Sequence, residues 1–184
     1  MKFVELSFVT SNPGKLRETE AVLGLTLKQE DLELPEMQSL DVLAVARDKS
    51  RRAYLALGVP VLVEDTSLGL MGLGGFPGPL VKWLLQAAGV AGLCRLAAAA
   101  GDELAVARCA AVIWDGTTEV VGEGSAQGRI LTSPRGSMGF GWDSLFAPEW
   151  GQGRTYAEMS IEEKTSRSHR TLALLDLKRR LSER

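Results

Sequence analysis

The 184-residue chain has few of the residues on which several common kinds of site depend. Its single histidine excludes a histidine-rich metal site, and its two cysteines, Cys94 and Cys109, lie in alanine-rich apolar surroundings. A disulfide between them stays open, but buried free thiols in a reducing compartment are the favoured interpretation. No Ser-His-Asp or Cys-His arrangement stands out, which argues against nucleophilic catalysis of that kind.

The chain also lacks a large excess of either positive or negative charge, since the formal net charge is -2. No overall positive field therefore draws the protein to nucleic acid, and a polyanionic ligand has to be met by local clusters of Lys and Arg. The longest stretch of low charge, residues 68–80, is rich in Gly and Pro and too short to cross a bilayer. The first residues, MKFVELSFVT, include Glu5 and lack a cleavage-site pattern. We expect a cytoplasmic protein that binds neither nucleic acid nor membrane.

The rest of the composition is that of an ordinary globular protein, with 45% hydrophobic and 24% charged residues. A domain of this size buries roughly 70% of the surface that its unfolded chain exposes, so a substantial core is expected. The sequence contains no repeat, low-complexity tract or linker. We therefore expect residues 1–184 to form a single domain.

Strand and helix patterns alternate along the chain, which predicts an α/β fold with a mixed sheet. The segment GLMGLGGFPGP, residues 69–79, is predicted to be a loop because its glycines and prolines suit neither a helix nor a strand. Asp115-Gly116 is a hairpin-turn signal. The predicted strands cover residues 6–10, 59–65, 104–114 and 118–127; the predicted helices cover residues 16–23, 43–57, 80–88 and 92–100, and a last helix that begins at Ser160 and buries Leu172, Leu175 and Leu181.

The segment FVTSNPGK, residues 8–15, joins the first strand to the first helix. A helix N-terminus carries about half a positive charge and Lys15 adds a full one, so a phosphate group is a natural ligand here. The segment is not a Walker A motif, because Leu16 rather than Ser or Thr follows Lys15. Pro13 has no N–H and removes one possible phosphate donor. Phosphate binding and an ordinary turn both remain open on this segment alone.

The segment VEDTS, residues 63–67, places two carboxylates at the end of a buried strand. Neighbouring residues of a strand point to opposite faces, so only one of Glu64 and Asp65 is expected to face a given site. Carboxylates at strand ends hold Mg²⁺ well, together with waters and substrate phosphates. Glu36 is a candidate for a second carboxylate. The alternative is a solvated strand end with Thr66 capping a turn.

Two further segments suggest binding of a base and of negative charge. In GFGWDSLF, residues 139–146, the rings of Phe140 and Trp142 are a candidate stacking platform and Asp143 a candidate acceptor for base N–H groups, although both rings also suit a core. In EKTSRSHR, residues 163–170, positive charge is concentrated near the start of the last helix. A lone histidine there is more often structural than catalytic. This positive charge comes from Lys164, Arg167, His169 and Arg170.

In order, the chain carries the segments FVTSNPGK, LPEMQ, VLVEDTSLGL, LGGFPGPLVKW, GRI, PRG, GFGWDSLF and TYAEMSIEEKTSRSHR. This ordered set resembles the inosine triphosphate pyrophosphatases, also called the Ham1 family. The resemblance implies an elongated, two-lobed α/β fold around a long mixed sheet, with a central active-site cleft and a homodimeric assembly. It also implies Mg²⁺-dependent hydrolysis of ITP, dITP and XTP to the monophosphate and pyrophosphate. The chain departs from many members by carrying Ser11 and Pro13-Gly14 in the first segment.

The resemblance assigns roles to individual residues. Asp65 would accept the proton of the attacking water, and Glu36 and Asp65 would hold Mg²⁺. The alternative functions are that of a Maf-type pyrophosphatase acting on other modified nucleotides and that of a non-catalytic nucleotide-binding sensor. The implied substrate-binding residues are Thr10, Ser11, Asn12, Lys15, Lys49, Thr66, Lys82 and Lys164 around the triphosphate, Phe140, Gly141, Trp142 and Asp143 around the base, and Ser168, His169 and Arg170, the last two at its 6-oxo edge.

Overall fold

The computed structural model describes residues 6–183. Glu5, on which the expectation for the N-terminal residues partly rests, lies outside this range. The described residues form a seven-stranded sheet. Its strands are β1 (Ser7–Val9), β2 (Lys28–Glu30), β3 (Val61–Leu70), β4 (Pro77–Gly78), β5 (Leu104–Trp114), β6 (Glu119–Ile130) and β7 (Phe146–Pro148).

Five α-helices accompany this sheet in the described part of the chain, and none of them is long and apolar enough to cross a membrane. Three short 3₁₀ helices cover Met71–Leu73, Glu149–Gly151 and Tyr156–Glu158. The α-helices are α1 (Pro13–Leu23), α2 (Val42–Leu57), α3 (Val81–Ala99), α4 (Ile161–Arg167) and α5 (His169–Ser182).

The sheet is mixed, as the alternating pattern predicts. Its strand order is β2-β1-β3-β5-β6-β7, and β4 pairs with β3. Strand β1 is parallel to both β2 and β3, whereas β3 is antiparallel to β4 and β5, β5 to β6, and β6 to β7. The long strand β3 therefore joins a parallel half of the sheet to an antiparallel half.

Two large hydrophobic clusters pack on this sheet. Both draw residues from β3 and β5, so these long strands connect the two parts of the core. One cluster is built around Leu68, Leu70, Leu93, Trp142, Phe146 and Tyr156. The other is built around Phe8, Leu62, Ile113, Leu174 and Leu177.

The first helix begins three residues earlier than its apolar pattern suggests. Asn12 is the N-cap, and its side chain accepts hydrogen bonds from the N–H groups of Gly14 and Lys15. Pro13 occupies the first helical position, where a missing N–H costs nothing because that group has no partner within the helix. Gly24 ends the helix in the left-handed conformation, as expected.

The glycine-rich segment at residues 69–79 is more ordered than predicted. Gly69 and Leu70 extend β3, and the segment then folds back so that Pro77 and Gly78 pair with Gly69 and Leu68. Gly69 accommodates this return, because a Cβ on it would fall 2.9 Å from the carbonyl oxygen of Gly75. The prediction failed because the small residues here let two backbone segments pair closely, and the segment is therefore not an irregular loop.

The last predicted helix is in fact two helices. Ser160 caps α4 as predicted, with Glu163 completing a capping box, but the helix ends at Arg167 and Ser168 begins α5 as a new N-cap. Leu172 and Leu175, predicted to be buried, are 41% and 47% exposed. All of these positions lie in α5, where Ala173, Leu174 and Leu177 form the buried side instead.

Two glycines bring α5 against the sheet. A Cβ on Gly122 or Gly124 of β6 would overlap backbone atoms of α5, at Ala173 and Leu177 for the first and at His169 and Ala173 for the second. The axis of α5 therefore lies closer to the sheet than a strand with side chains at these positions would allow. This packing fixes the first turn of α5, which carries Arg170.

Candidate functional site

A cleft of about 940 Å³ lies where β1, β3, α2, α3 and the segment 139–143 meet. Its floor is the middle of β3, and α1 begins at its edge. Most of the predicted site residues line it: Thr10, Ser11, Asn12, Lys15, Glu36, Lys49, Asp65, Thr66, Lys82, Phe140, Gly141 and Trp142. The remaining ones are buried behind this surface: Asp143, Lys164, Ser168, His169 and Arg170.

The loop between β1 and α1 presents a lysine rather than free amides. The N–H groups of Gly14 and Lys15 are bonded to the Asn12 side chain, and the N–H of Asn12 is bonded to the Thr10 hydroxyl at 3.1 Å. The ammonium group of Lys15, at the start of α1, extends to β3. The positive charge available in this loop is therefore mainly that of the Lys15 side chain.

Glu64 and Asp65 lie in the middle of β3 and not at a strand end, and both line the cleft, so the prediction that only one of them faces the site is wrong. Their carboxylates contact different cations. The Glu64 carboxylate lies 2.6 Å from Lys15 Nζ and 2.7 Å from Arg170 Nε. Burial acts to raise the pKa of Glu64, but the charges of Arg170 and Lys15 outweigh it and hold this pKa far below its usual range. Glu64 is thus fully ionised.

Asp65 belongs to a second group of charges, with Glu36 and two lysines. Lys49 Nζ lies 3.1 Å from Asp65 Oδ1 and 3.6 Å from Glu36 Oε2, and Lys82 Nζ lies 2.6 Å from Glu36 Oε2. Burial raises the pKa of Asp65, and the charges of Lys49 and Lys15 offset this only in part. For Glu36, burial also acts upward, but the hydrogen bond from Lys82 and the charge of Lys49 lower its pKa.

These residues fit a magnesium ion that is completed by ligand oxygens. No group of three or more His, Cys, Asp or Glu side chains within residues 6–183 has the geometry of a complete metal site. Mg²⁺ in phosphate-processing enzymes is usually held by one or two carboxylates, with waters and substrate phosphates as the other ligands. The buried Asp65 Oδ2 has no hydrogen-bond partner within residues 6–183, and Asp65 and Glu36 both contact Lys49.

Three cations and three carboxylates alternate in one chain of ion pairs that runs from the cleft into the interior. Lys15 pairs with Glu64 at the cleft, and the Arg170 guanidinium pairs with both Glu64 and Glu18. Glu18 Oε1 accepts from Lys164 Nζ at 2.7 Å, and Lys164 Nζ lies 2.7 Å from Asp143 Oδ2. Each buried charge thus has an opposite partner, without which its burial would cost several kcal/mol.

Asp143 has a local role that the sequence did not indicate. Its Oδ2 accepts a hydrogen bond from the Phe140 N–H at 2.9 Å, in addition to the one from Lys164. Gly139 and Gly141 have φ values of 77° and 62°, a conformation that side chains disfavour. Asp143 therefore fixes the turn that presents Phe140 to the cleft. Burial raises the pKa of Asp143, with Lys164 acting against it.

His169 lies among aromatic rings rather than at the surface. Its ring centroid is 5.2 Å from that of Trp142 and 5.9 Å from that of Tyr156, with which it stacks. Burial first, and then the charges of Arg170 and Lys164, lower the pKa of His169 well below its usual value, so the ring is neutral. Both ring nitrogens are buried and have no hydrogen-bond partner among the described residues.

Three residues at this site were not predicted from the sequence. Glu18 follows Lys15 by three positions on α1, and an acid on the buried helix face was an available signal. Cys109 faces Thr66 in the strand register and its thiol donates to Glu64 at 3.2 Å, but an alanine-rich strand gives no hint of this contact. Tyr156 lies in a short 3₁₀ helix that carries no apolar period.

The fold and the cleft together define a class of protein. A mixed α/β protein whose cleft combines several lysines, two neighbouring carboxylates and an aromatic segment is suited to metal-assisted chemistry on a phosphorylated, ring-containing ligand.

Comparison with known proteins identifies the family. The Ham1 family model matches residues 6–180. Inosine triphosphate pyrophosphatase 1 of Trypanosoma cruzi is 44% identical over 177 residues, which cover 95% of this chain and 90% of that protein. The inosine triphosphate pyrophosphatase of Puccinia graminis is 39% identical over an alignment that covers 100% of both chains. The chain belongs to the Ham1 family, as its ordered motifs predict.

Solved structures agree with this assignment. A HAM1 protein from Coxiella burnetii matches with a TM-score of 0.81 at 27% identity, and the match covers 98% of this chain and 99% of that one. A nucleoside-triphosphatase described as a dITP/XTP pyrophosphatase, from Mycobacterium abscessus, matches with a TM-score of 0.72 at 30% identity over 95% of this chain and 98% of that one.

Proposed function

We propose that the protein hydrolyses the deaminated purine nucleoside triphosphates ITP, dITP and XTP to the nucleoside monophosphate and pyrophosphate, with Mg²⁺ as cofactor. The names of its relatives in Trypanosoma and Puccinia support the substrate class. The observation that carries the proposal is the position of Asp65, which lines the cleft between several lysines and an aromatic segment and whose buried Oδ2 has no hydrogen-bond partner among the described residues.

The triphosphate would lie along the lysines of the cleft. Lys15, Lys49 and Lys82 are each paired with a carboxylate in the free protein, at 2.6, 3.1 and 2.6 Å. Each ammonium group has three N–H donors, so it would bond phosphate oxygens beside its carboxylate, and the lysines would stabilise the negative charge of the leaving pyrophosphate. The polar loop residues Thr10, Ser11 and Asn12, with Thr66 from β3, would complete this end.

Glu36 and Asp65 would hold Mg²⁺, which when bound would neutralise negative charge on the triphosphate oxygens, including those of the phosphorus under attack. Asp65 would also orient the attacking water and accept its proton, since a carboxylate at hydrogen-bond distance is a competent base in its ionised form. Lys49 keeps that carboxylate oriented through the contact at Oδ1.

The base would lie near Phe140, Gly141 and Trp142. Arg170 and Lys164 lie beneath the Phe140 ring, with Lys164 Nζ 4.7 Å and Arg170 Cζ 5.4 Å from its centroid. This position favours a role for Lys164 at the base end of the cleft rather than at the phosphates. A buried donor that pairs with a 6-oxo group is left unpaired by the 6-amino group of adenine, which can discriminate by about 10⁴-fold. Asp143, Ser168, His169 and Arg170 would build this end.

We also infer a homodimer, as the family resemblance implies, and keep the separate expectation of a cytoplasmic location. Leu40 is 68% exposed and Phe76 is 43% exposed, so apolar side chains are available to a second copy. Sedimentation of the purified chain over a range of concentrations tests the assembly: a mass of two chains is expected, and a single-chain mass at all concentrations contradicts it.

The activity is tested by incubating the protein with Mg²⁺ and ITP, XTP, dATP or GTP and identifying the released product. We expect pyrophosphate from ITP and XTP and little turnover of dATP. Release of orthophosphate, or equal rates on ATP and ITP, would contradict the proposal.

The role of Asp65 is tested by Asp65→Asn, which keeps the shape of the side chain and removes its charge. Loss of a general base lowers turnover by about 10²- to 10⁴-fold. Asp48→Asn is the matched control, because Asp48 lies on α2 beside Lys49 and pairs with Arg52 instead of a cleft residue. Full turnover by Asp65→Asn would remove the proposed role.

A further inference from the structure

The Glu64 carboxylate is shared between two residues that the proposed function places at opposite ends of the ligand. Its Oε1 contacts Lys15 Nζ at 2.6 Å, and its Oε2 contacts Arg170 Nε at 2.7 Å. The Cys109 thiol donates to the same Oε2 at 3.2 Å. One buried carboxylate therefore contacts residues of two helices, Lys15 of α1 and Arg170 of α5, with its shortest contact to each through a different oxygen.

The carboxylate itself is held firmly. The Glu64 side chain is 0% exposed, and the residue sits in the middle of β3, where it pairs with Ala111 of β5. A strand with neighbours on both sides is among the most rigid parts of a sheet. Lys15 and Arg170, by contrast, carry long side chains with many rotamers, which lose about 2 kcal/mol of rotamer entropy each when fixed.

We propose that Glu64 is a positioning residue, which fixes Lys15 at the triphosphate end and Arg170 at the base end of the cleft at the same time. This inference rests on the proposed function for what the two ends bind. Glu64 does not touch the reacting atoms; it sets the direction in which the Lys15 ammonium and the Arg170 guanidinium point. One rigid carboxylate thereby keeps the two ends of the cleft at a constant separation. A nucleotide, which has both a base and a triphosphate, contacts both ends, whereas free polyphosphate contacts only one.

The direction in which polyphosphate affinity changes when Glu64 is neutralised distinguishes a positioning role from a purely electrostatic one. Glu64 is an anion beside the phosphate end, so its neutralisation by itself would tighten the binding of any polyphosphate. If Glu64 positions Lys15, the same change releases the ammonium from its fixed direction and weakens binding. The two accounts therefore predict opposite effects of Glu64→Gln.

The probe is inorganic tripolyphosphate, whose binding to the full chain is measured by calorimetry. We expect Glu64→Gln to weaken it about tenfold, which corresponds to ~1.4 kcal/mol. Glu18→Gln is the matched control, since Glu18 is also a buried carboxylate bonded to Arg170 but contacts Lys164 in place of Lys15. We expect Glu18→Gln to leave tripolyphosphate binding within about twofold of the wild type.

Kinetics give the second readout. Both variants are expected to lower the ratio of kcat/KM for ITP to kcat/KM for ATP, because both loosen Arg170, while only Glu64→Gln changes tripolyphosphate binding. Tighter binding of tripolyphosphate to Glu64→Gln, or equal weakening in both variants, overturns the inference. Wild-type protein that binds tripolyphosphate but does not hydrolyse ITP contradicts the proposed function and leaves the tripolyphosphate comparison interpretable.

A second variant covers the case in which Glu64→Gln does not fold. Glu64→Asp keeps the charge, but its side chain is one methylene shorter and cannot reach both Lys15 and Arg170. We expect it to fold, because the retained charge still pairs with one of the two cations, and to weaken tripolyphosphate binding. Wild-type affinity in a folded Glu64→Asp protein would also overturn the inference.

Discussion

The ring of Phe140 lies directly against Gly14: a Cβ on Gly14 would fall 2.6 Å from Cδ1 and 2.7 Å from Cε1 of that ring. The same ring also lies against Lys164 and Arg170. The start of α1 and the aromatic turn are thus in contact because position 14 has no side chain. In the first segment, this contact gives Pro13-Gly14 a structural meaning, since proline starts the helix and glycine admits the ring.

Gly14→Ala is expected to displace the Phe140 ring. The added methyl group has no space, whereas alanine is a better helix former than glycine by about 0.5–1 kcal/mol, so the free energy of unfolding should change little. The misplaced ring should lower kcat/KM for ITP by about tenfold, equivalent to ~1.4 kcal/mol of transition-state binding. Steady-state kinetics and urea unfolding give the two measurements.

The control for this effect is a double-mutant cycle with Phe140→Ala. If Gly14→Ala acts through the ring, it has no further effect on kcat/KM once the ring is absent. Additive losses in the double variant would show that Gly14 acts in another way, for example through the loop and Lys15.

Gly124→Ala should separate α5 from the sheet. A methyl group there would overlap backbone atoms of His169 and Ala173, and backbone, unlike a side chain, cannot rotate away. Overpacking of this kind costs about 1–3 kcal/mol of unfolding free energy, measured by urea denaturation. Ser125→Ala is the matched control, because Ser125 is the next residue on β6 and is exposed. A wild-type midpoint for Gly124→Ala would contradict this account of the packing.

The two cysteines should differ sharply in reactivity. Both are free, which agrees with the sequence-based preference for thiols over a disulfide. Cys109 is buried, and burial, followed by the charge of Glu64, raises its pKa well above the usual value, whereas Cys94 is half-buried. A disulfide reagent should therefore label Cys94 in the native protein and both thiols only in denaturant. Cys94→Ser is expected to abolish native labelling; fast labelling that persists in this variant would place Cys109 within reach of solvent.

The sequence predicted what depends on local pattern and on motif order. The mixed sheet, the hairpin at Asp115-Gly116 and the caps at Gly24 and Ser160 all follow from short-range rules, and the structure confirms them. The residues that line the cleft were found because the family motifs mark them. Which atoms they contact was not predictable, because the ion pairs join residues as far apart in the chain as Glu18 and Lys164.

The errors have different physical causes. Leu172 and Leu175 were assigned to the buried face of the last helix, but Leu174 and Leu177 of the same helix have the same spacing, and this second pair is the buried one. The role of Asp143 was missed because it depends on a contact between distant segments. Its partner Lys164 comes from α4, and nothing in the order of residues shows that α4 ends beside the aromatic turn.

His169 is the only histidine in the chain, so the effect of imidazole protonation on stability can be assigned to this one residue. Its folded pKa lies well below 6.5, owing first to burial and then to the charges of Arg170 and Lys164, whereas the unfolded chain has the ordinary value of about 6.5. As the pH falls below about 6.5, the unfolded state binds a proton that the folded state does not, so the free energy of unfolding decreases. The contribution approaches ~1.4 kcal/mol per pH unit, and it vanishes above that pH.

Two measurements check this. In proton NMR spectra of the folded protein, the imidazole signals should not shift between about pH 8 and pH 5.5, since the ring stays neutral. In urea unfolding, wild type should lose more stability than His169→Gln between these pH values, because the glutamine has no proton to bind. An imidazole that titrates in the folded protein with a midpoint near 6.5 would mean that water or a hydrogen-bond partner reaches the ring. The loss of stability in acid would then be the same in both proteins.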